Sequence, residues 1–181
     1  MKDYSKYKIR VTDKYVCFLT GPLGNWYRSP MTLFVETENG KEERNFFSSE
    51  QYFMYKKAVL FKDWETAEKI LHCGTSKNAK DLGRQVKGFD SEVWDAHKYN
   101  CMYSVILVKY DMCEDMREFM HQPQFAGKEF VECNRSDTVW ACGLEMDDDR
   151  VLDKSTWRGE NLLGQIMTAV RDAHETEENN K

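Results

Sequence analysis

The sequence predicts an α+β fold, predominantly helical: a single compact domain in which a small N-terminal antiparallel sheet and a C-terminal β-hairpin pack on helices. Three observations carry this. Apolar and polar residues alternate through residues 6–47, as in KIRV, KYVCFL and MTLFVE. From Ser48 onward the apolar spacing lengthens to the helical period. Two short strand-like pieces, KEFVEC at 128–133 and TVWACG at 138–143, are joined by the tight Asn134-Arg135-Ser136-Asp137 turn, which reads as a hairpin. A length of 181 residues fits one domain with a sizeable core. No internal repeat or linker-like stretch divides it.

The strands of the N-terminal sheet are separated by turn signals at Gly21, Pro22, Gly24 and the Glu38-Asn39-Gly40 triplet. The first helix begins at Ser48, where Ser48 and Gln51 form a capping box and Phe47 can staple onto Tyr52. Helices are expected over 49–61, 64–73 (Asp63 as cap, Gly74 as stop), 76–87, 91–110, 112–121 and 161–174. Residues 144–158 read as charged and irregular, and 175–181 as a polar, frayed tail.

Composition narrows the function. An apolar share of 41% and an aromatic share of 13% exclude a disordered chain. Five Trp and nine Tyr suit a protein that binds flat, ring-shaped ligands, or else fill the core. The six cysteines form no CxxC pair and are not grouped with the four histidines, so reduced thiols and no structural zinc are expected. The start, MKDYSKYKIR, is too polar for a signal peptide, and no apolar run approaches the roughly 20 residues of a spanning helix. A cytoplasmic protein with no membrane association is expected. A net charge of -5 argues against broad nucleic-acid affinity. Lys77, Lys80, Arg84 and Lys87 recur at helical spacing, a stripe that suits a solvated face better than a phosphate track.

One helix face poses a chemical question. At about 100° per residue, Glu50, Phe53, Met54, Lys57 and Phe61 fall on a single stripe, and desolvating a carboxylate there is costly. Two readings are open: Glu50 stands at the edge of the stripe, helped by the helix dipole and a nearby cation, or it carries chemistry.

With these pieces in place, the chain resembles the NADAR family over about residues 18–172. The resemblance rests on the order of five segments. Gly24-Asn25-Trp26-Tyr27 with Ser29-Pro30 comes first, then Ser49-Glu50-Gln51-Tyr52-Phe53 with Lys57, and then Ala79-Lys80 with Gly83-Arg84. Trp94-Asp95 with Lys98 follows. A C-terminal set closes the series: Val131-Glu132, Asp137, Trp140, Gly143, Gly159, Asn161, Leu163-Gly164 and Arg171. Gln51 stands where the family commonly has His, and the 145–158 segment is longer than the usual loop.

The resemblance implies an enzyme that hydrolyses a ribose-to-base N-glycosidic bond. Its substrate is either a phosphorylated ribosylamino-pyrimidine of the riboflavin pathway or ADP-ribose attached to guanine, free or carried on nucleic acid. Such a bond breaks through an oxocarbenium-like transition state and needs carboxylates rather than a metal or cofactor. The resemblance makes Glu50 the principal carboxylate and Asp137, on the turn, the second; Asp137 reads equally as a turn cap. Lys57, about 10 Å further along the helix, suits a phosphate, and Arg84 a phosphate fork. Trp26, Trp94 and Trp140 are candidates for stacking on the base. Asn25, Tyr27, Asp95 and Asn161 complete the implied substrate contacts, Asn161 also at a helix N-cap. Gly159 and Gly164 suit close backbone approach.

Other classes fit less well. No GxGxxG or GxxxxGK[ST] pattern follows a strand, and no cysteine has a nucleophile motif around it. The main alternative is a non-catalytic ADP-ribose or NAD-derived nucleotide-binding module that keeps the aromatic and basic contacts.

Overall fold

A computed structural model describes residue 4 and residues 6–179. The chain forms two compact units, one from the segments before Asn25 and after Cys113, the other from Asn25–Cys113. Residues 180 and 181 of the expected polar tail lie outside the described residues.

The first unit is built on β1 (Arg10–Val11), β2 (Tyr15–Phe18) and β5 (Glu129–Glu132), with α5 (Glu114–Met120) and α6 (Leu162–Asn179). The central strand β2 pairs antiparallel with β1 and parallel with β5, in the register Tyr15↔Glu129 to Phe18↔Glu132. Alternation along these strands gives the sheet two buried faces. Phe18 and Phe130 meet at 6.5 Å on one face, where Phe125 packs on Phe130 and the buried Arg171 guanidinium of α6 lies 4.9 Å from the Phe130 ring. Tyr15, Cys17 and Val131 point to the other and pack with Cys133, Cys142, Leu144, Met146 and Val151. The 144–158 segment, expected to be merely irregular, therefore covers a sheet face. It holds two short 3-10 turns, and Trp157 closes it by donating to the Val151 carbonyl at 3.0 Å and meeting Tyr15 at 5.5 Å.

The expected C-terminal hairpin is half right. Residues 129–132 are a strand, but 138–143 are not. The backbone there serves a different partner: the carbonyls of Thr138, Val139, Trp140 and Ala141 accept the N–H groups of Glu160, Leu162, Leu163 and Asn161 at 3.0–3.2 Å. The first amides of a helix lack partners inside it, and this segment supplies them for α6, so β5 pairs with β2 instead. The helix also runs to Asn179 rather than ending at 174.

The second unit contains the hairpin β3 (Met31–Thr37) and β4 (Gly40–Phe46), then α1 (Ser49–Leu60), α2 (Trp64–Leu71), α3 (Ser76–Gly83) and α4 (Ser91–Met112). The turn between the strands places Gly40 at φ 102°, a conformation that favours glycine. Each helix starts on a side-chain cap, Ser48, Asp63, Thr75 or Asp90, whose oxygen accepts a first-turn N–H. The capping box at α1 is present in a shifted form, since the Gln51 side chain accepts from Phe47 N–H at 2.8 Å, and the ring that packs on Tyr52 is Phe46. Helix α3 stops at Gly83, short of the expected 87: the Gln85 N–H turns back to the Leu82 carbonyl at 2.8 Å, and the Lys87 N–H is held by Asp63 Oδ2 at 2.7 Å.

Helix α1 packs against the other three helices, and α3 approaches it at Gly83. A Cβ on Gly83 would stand 2.1 Å from Met54 Sδ and 3.3 Å from its Cβ. The thioether can move and the helix backbone cannot, so Gly83→Ala is expected to destabilise by about 1–3 kcal/mol, seen as a lower unfolding midpoint in urea. Among the described residues no helix is long and apolar enough to cross a membrane.

Candidate active site

The candidate residues divide between the two units. Asn25, Trp26, Tyr27, Glu50, Lys57, Arg84, Trp94 and Asp95 belong to the second unit, and Asp137, Trp140 and Asn161 to the first.

In the second unit the site grows from the first turn of α1. Glu50 is only 5% exposed, at the second helical position, where the positive end of the helix dipole favours a carboxylate. The chain before β3 is fastened to this turn. The Asn25 carbonyl accepts the Glu50 N–H at 3.0 Å and the Ser49 hydroxyl at 3.1 Å, and Asn25 Oδ1 lies 3.2 Å from the same hydroxyl. Asn25 Nδ2 lies 3.6 Å from Met102 Sδ on α4, so this buried side chain is engaged within the protein. Its neighbour Trp26 is 54% exposed, and Tyr27 is half-buried.

Two turns along α1, Lys57 sits in an aromatic setting. Its ammonium donates to the Gly83 carbonyl at 2.9 Å and lies 4.2 Å from the Phe89 ring centre and 5.4 Å from that of Trp94. Phe53, one turn earlier, packs on Trp94 at 5.3 Å. Burial pushes the Lys57 pKa below its usual value. An ammonium carries three donors and Gly83 takes one, so the group suits an anionic ligand oxygen.

Phe89 was not foreseen, nor was Lys109. Lys109 is fully buried on α4, with its Nζ 5.9 Å from the Tyr27 ring. The signal for it was present: Lys109 stands three, four and seven residues after Ile106, Val105 and Met102, all buried. A cation on the inner stripe of a helix is as informative as the carboxylate at Glu50.

Other candidates stand elsewhere. Asp95 is exposed and pairs with Lys98 at 2.8 Å. Arg84 is exposed, 3.7 Å from Asp81. The basic stripe is a solvated face, with Lys77 on Asp81 at 2.7 Å and Lys87 on Glu65 at 2.6 Å.

In the first unit, Asp137 Oδ1 accepts the Val139 and Trp140 N–H groups at 3.1 and 2.8 Å, which is turn capping. Trp140 is half-buried, and its carbonyl accepts from Leu163 at 3.1 Å. Asn161 does stand at the start of α6, where its carbonyl accepts the Gln165 N–H, but its side chain does not cap that helix. Oδ1 accepts the Glu132 N–H at 2.9 Å and Nδ2 donates to the Phe130 carbonyl at 3.1 Å. A Cβ on Gly164 would lie 2.1 Å from that carbonyl, and one on Gly159 would lie 2.3 Å from the Ala141 carbonyl, so both glycines do permit close backbone approach. Among the described residues, no group of three His, Cys, Asp or Glu side chains is placed to hold a metal ion.

The NADAR domain model matches residues 15–174. An N-glycosidase of Acanthamoeba polyphaga mimivirus is 32% identical over 173 residues, covering 91% of this chain and 98% of that protein. Protein irg-1 of Caenorhabditis elegans is 34% identical over 146 residues, 79% of this chain and 68% of its own length. The NMR structure of the E. coli protein YbiA has the same fold, with a TM-score of 0.69 at 19% identity over 95% of this chain and 91% of that one. A match that runs from β2 into α6, over most of the chain, places it in the NADAR domain family.

Proposed function

We propose that this protein is an N-glycosidase that hydrolyses the bond between ribose and a nitrogen base in a phosphorylated ribosyl or ADP-ribosyl substrate. The observation that carries the reading is Glu50: a carboxylate almost removed from water, on a helix face that also presents Phe53 and Lys57. The mimivirus relative that is named an N-glycosidase supports the reaction class.

Cleavage of such a bond leaves positive charge on the ribose ring, and a fixed carboxylate in a dry site stabilises that charge or activates the attacking water. Glu50 has this role. The Lys57 ammonium binds the phosphate, and the exposed Trp26 ring stacks on the flat base. Asp137 keeps its capping contacts. The substrate class includes small ribosyl phosphates and ADP-ribosyl groups, free or carried on nucleic acid.

The test is incubation of the protein with ribosylamino-pyrimidine phosphates, with NAD-derived nucleotides and with ADP-ribosylated guanine DNA, followed by mass detection of free base and ribosyl phosphate. Release from one class is expected. Recovery of every ligand intact after long incubation would refute the glycosidase reading and leave a nucleotide-binding module.

Lys57→Met tests the phosphate contact. Methionine keeps the packing against Phe89 and Trp94 and removes a partly desolvated charge, so stability should hardly change. Charge-assisted hydrogen bonds contribute roughly 1.5–3 kcal/mol, so ADP-ribose should bind about tenfold or more weakly in calorimetric titration. Unchanged affinity would remove Lys57 from the site.

A further inference from the structure

The start of α1 carries two consecutive buried serines, Ser48 and Ser49, and only one is needed for the helix. Ser48 is the cap, accepting the Gln51 N–H at 3.3 Å. The Ser49 hydroxyl leaves the helix and is shared between the two oxygens of Asn25, at 3.1 and 3.2 Å. The same Asn25 carbonyl holds the Glu50 N–H, and the Asn25 amide is steadied by Met102 of α4. Two donors of one helix turn, the Ser49 hydroxyl and the Glu50 N–H, therefore hold Asn25 and the short irregular stretch it begins.

We propose that Ser49 is a positioning residue for Glu50: through Asn25 it fastens the stretch that carries Trp26 and Tyr27 to the turn that carries the carboxylate. The proposal rests on the glycosidase reading for its kinetic consequence and on the hydrogen bonds alone for its structural one. Without the hydroxyl, the Asn25 oxygens lose a donor and the stretch gains freedom relative to Glu50. A displacement of about 1 Å between a bound substrate and a catalytic group costs up to ~10²-fold in rate. Binding through Lys57 is untouched, since that contact lies two turns away on α1.

The experiment compares Ser49→Ala with wild type in three measurements: steady-state kinetics on the substrate that wild type cleaves, thermal unfolding, and hydrogen exchange of the Glu50 amide. A fall in kcat of ~10-fold that exceeds any rise in KM through the loosened Trp26, together with faster Glu50 exchange in a folded protein, is expected. Unchanged kcat and KM per folded molecule would overturn the proposal, as would a lower midpoint with normal turnover, which marks a purely structural hydroxyl. If wild type cleaves nothing, the glycosidase reading falls and the exchange measurement decides alone: Glu50 exchange identical in Ser49→Ala and wild type overturns the fastening itself.

Discussion

Replacing Glu50 by Gln is expected to lower turnover by at least ~10²-fold while leaving the protein folded and able to bind its substrate. The amide matches the carboxylate in size and removes only the charge. Glu50 is 5% exposed, so its interaction with nearby charge is little screened by solvent. The ground-state ligand has no charge at the ribose carbon, and the transition state does. The loss should therefore appear in kcat, with dissociation constants from calorimetry close to wild type. The stability outcome separates the other reading of this residue. A carboxylate in the first turn of a helix contributes a few tenths to about 1 kcal/mol through the dipole. A Glu50→Gln protein that melts lower and turns over normally would make Glu50 a helix-end charge only. A protein that binds ADP-ribose but never cleaves it, in wild type and variant alike, would be a reader, and the substitution would then alter affinity alone.

Local chemistry was legible in the sequence wherever a side chain acts on its own neighbourhood. The caps at Ser48 and Asp63 placed α1 and α2 within two residues, because an oxygen that accepts a first-turn N–H fixes the start whatever packs later. What failed was the choice of long-range partner. TVWACG has the composition of a strand, yet its carbonyls go to the amides of α6 some 20 residues later. No pattern inside the segment announces that. Val86 is buried although α3 has already ended, and the Lys87 N–H beside it goes to the Asp63 carboxylate, 24 residues earlier, instead of to a helical carbonyl. At the site, Glu50 and Lys57 were legible as charges on an apolar stripe. Lys109 obeyed the same rule on α4 and was passed over. Phe89 lies between helices, where periodicity carries no signal, and only the fold brings it to Lys57.

Asn161 carries the second large effect, in stability rather than turnover. The residue was expected to cap α6 and touch the ligand, but both ends of its side chain are bonded to the backbone of β5. Asn161→Ala removes the acceptor of the Glu132 N–H and the donor to the Phe130 carbonyl, and each buried group left unsatisfied costs about 1–3 kcal/mol. The backbone adds to this. Asn161 has φ 54°, a left-handed conformation that asparagine tolerates and alanine adopts at a cost of about 1 kcal/mol. The sum is about 3–7 kcal/mol, a large part of the 5–15 kcal/mol that holds a typical domain. The unfolding midpoint should then drop by roughly 10 °C. Asn161→Gly separates the contributions, because glycine takes the left-handed conformation freely but makes neither side-chain bond, and should recover about 1 kcal/mol relative to Asn161→Ala. If both variants instead melt like wild type and bind ADP-ribose tenfold more weakly, the side chain serves the ligand and its bonds to β5 are incidental. Equal melting of the two variants at a much lower temperature would show that the hydrogen bonds matter and the backbone strain does not.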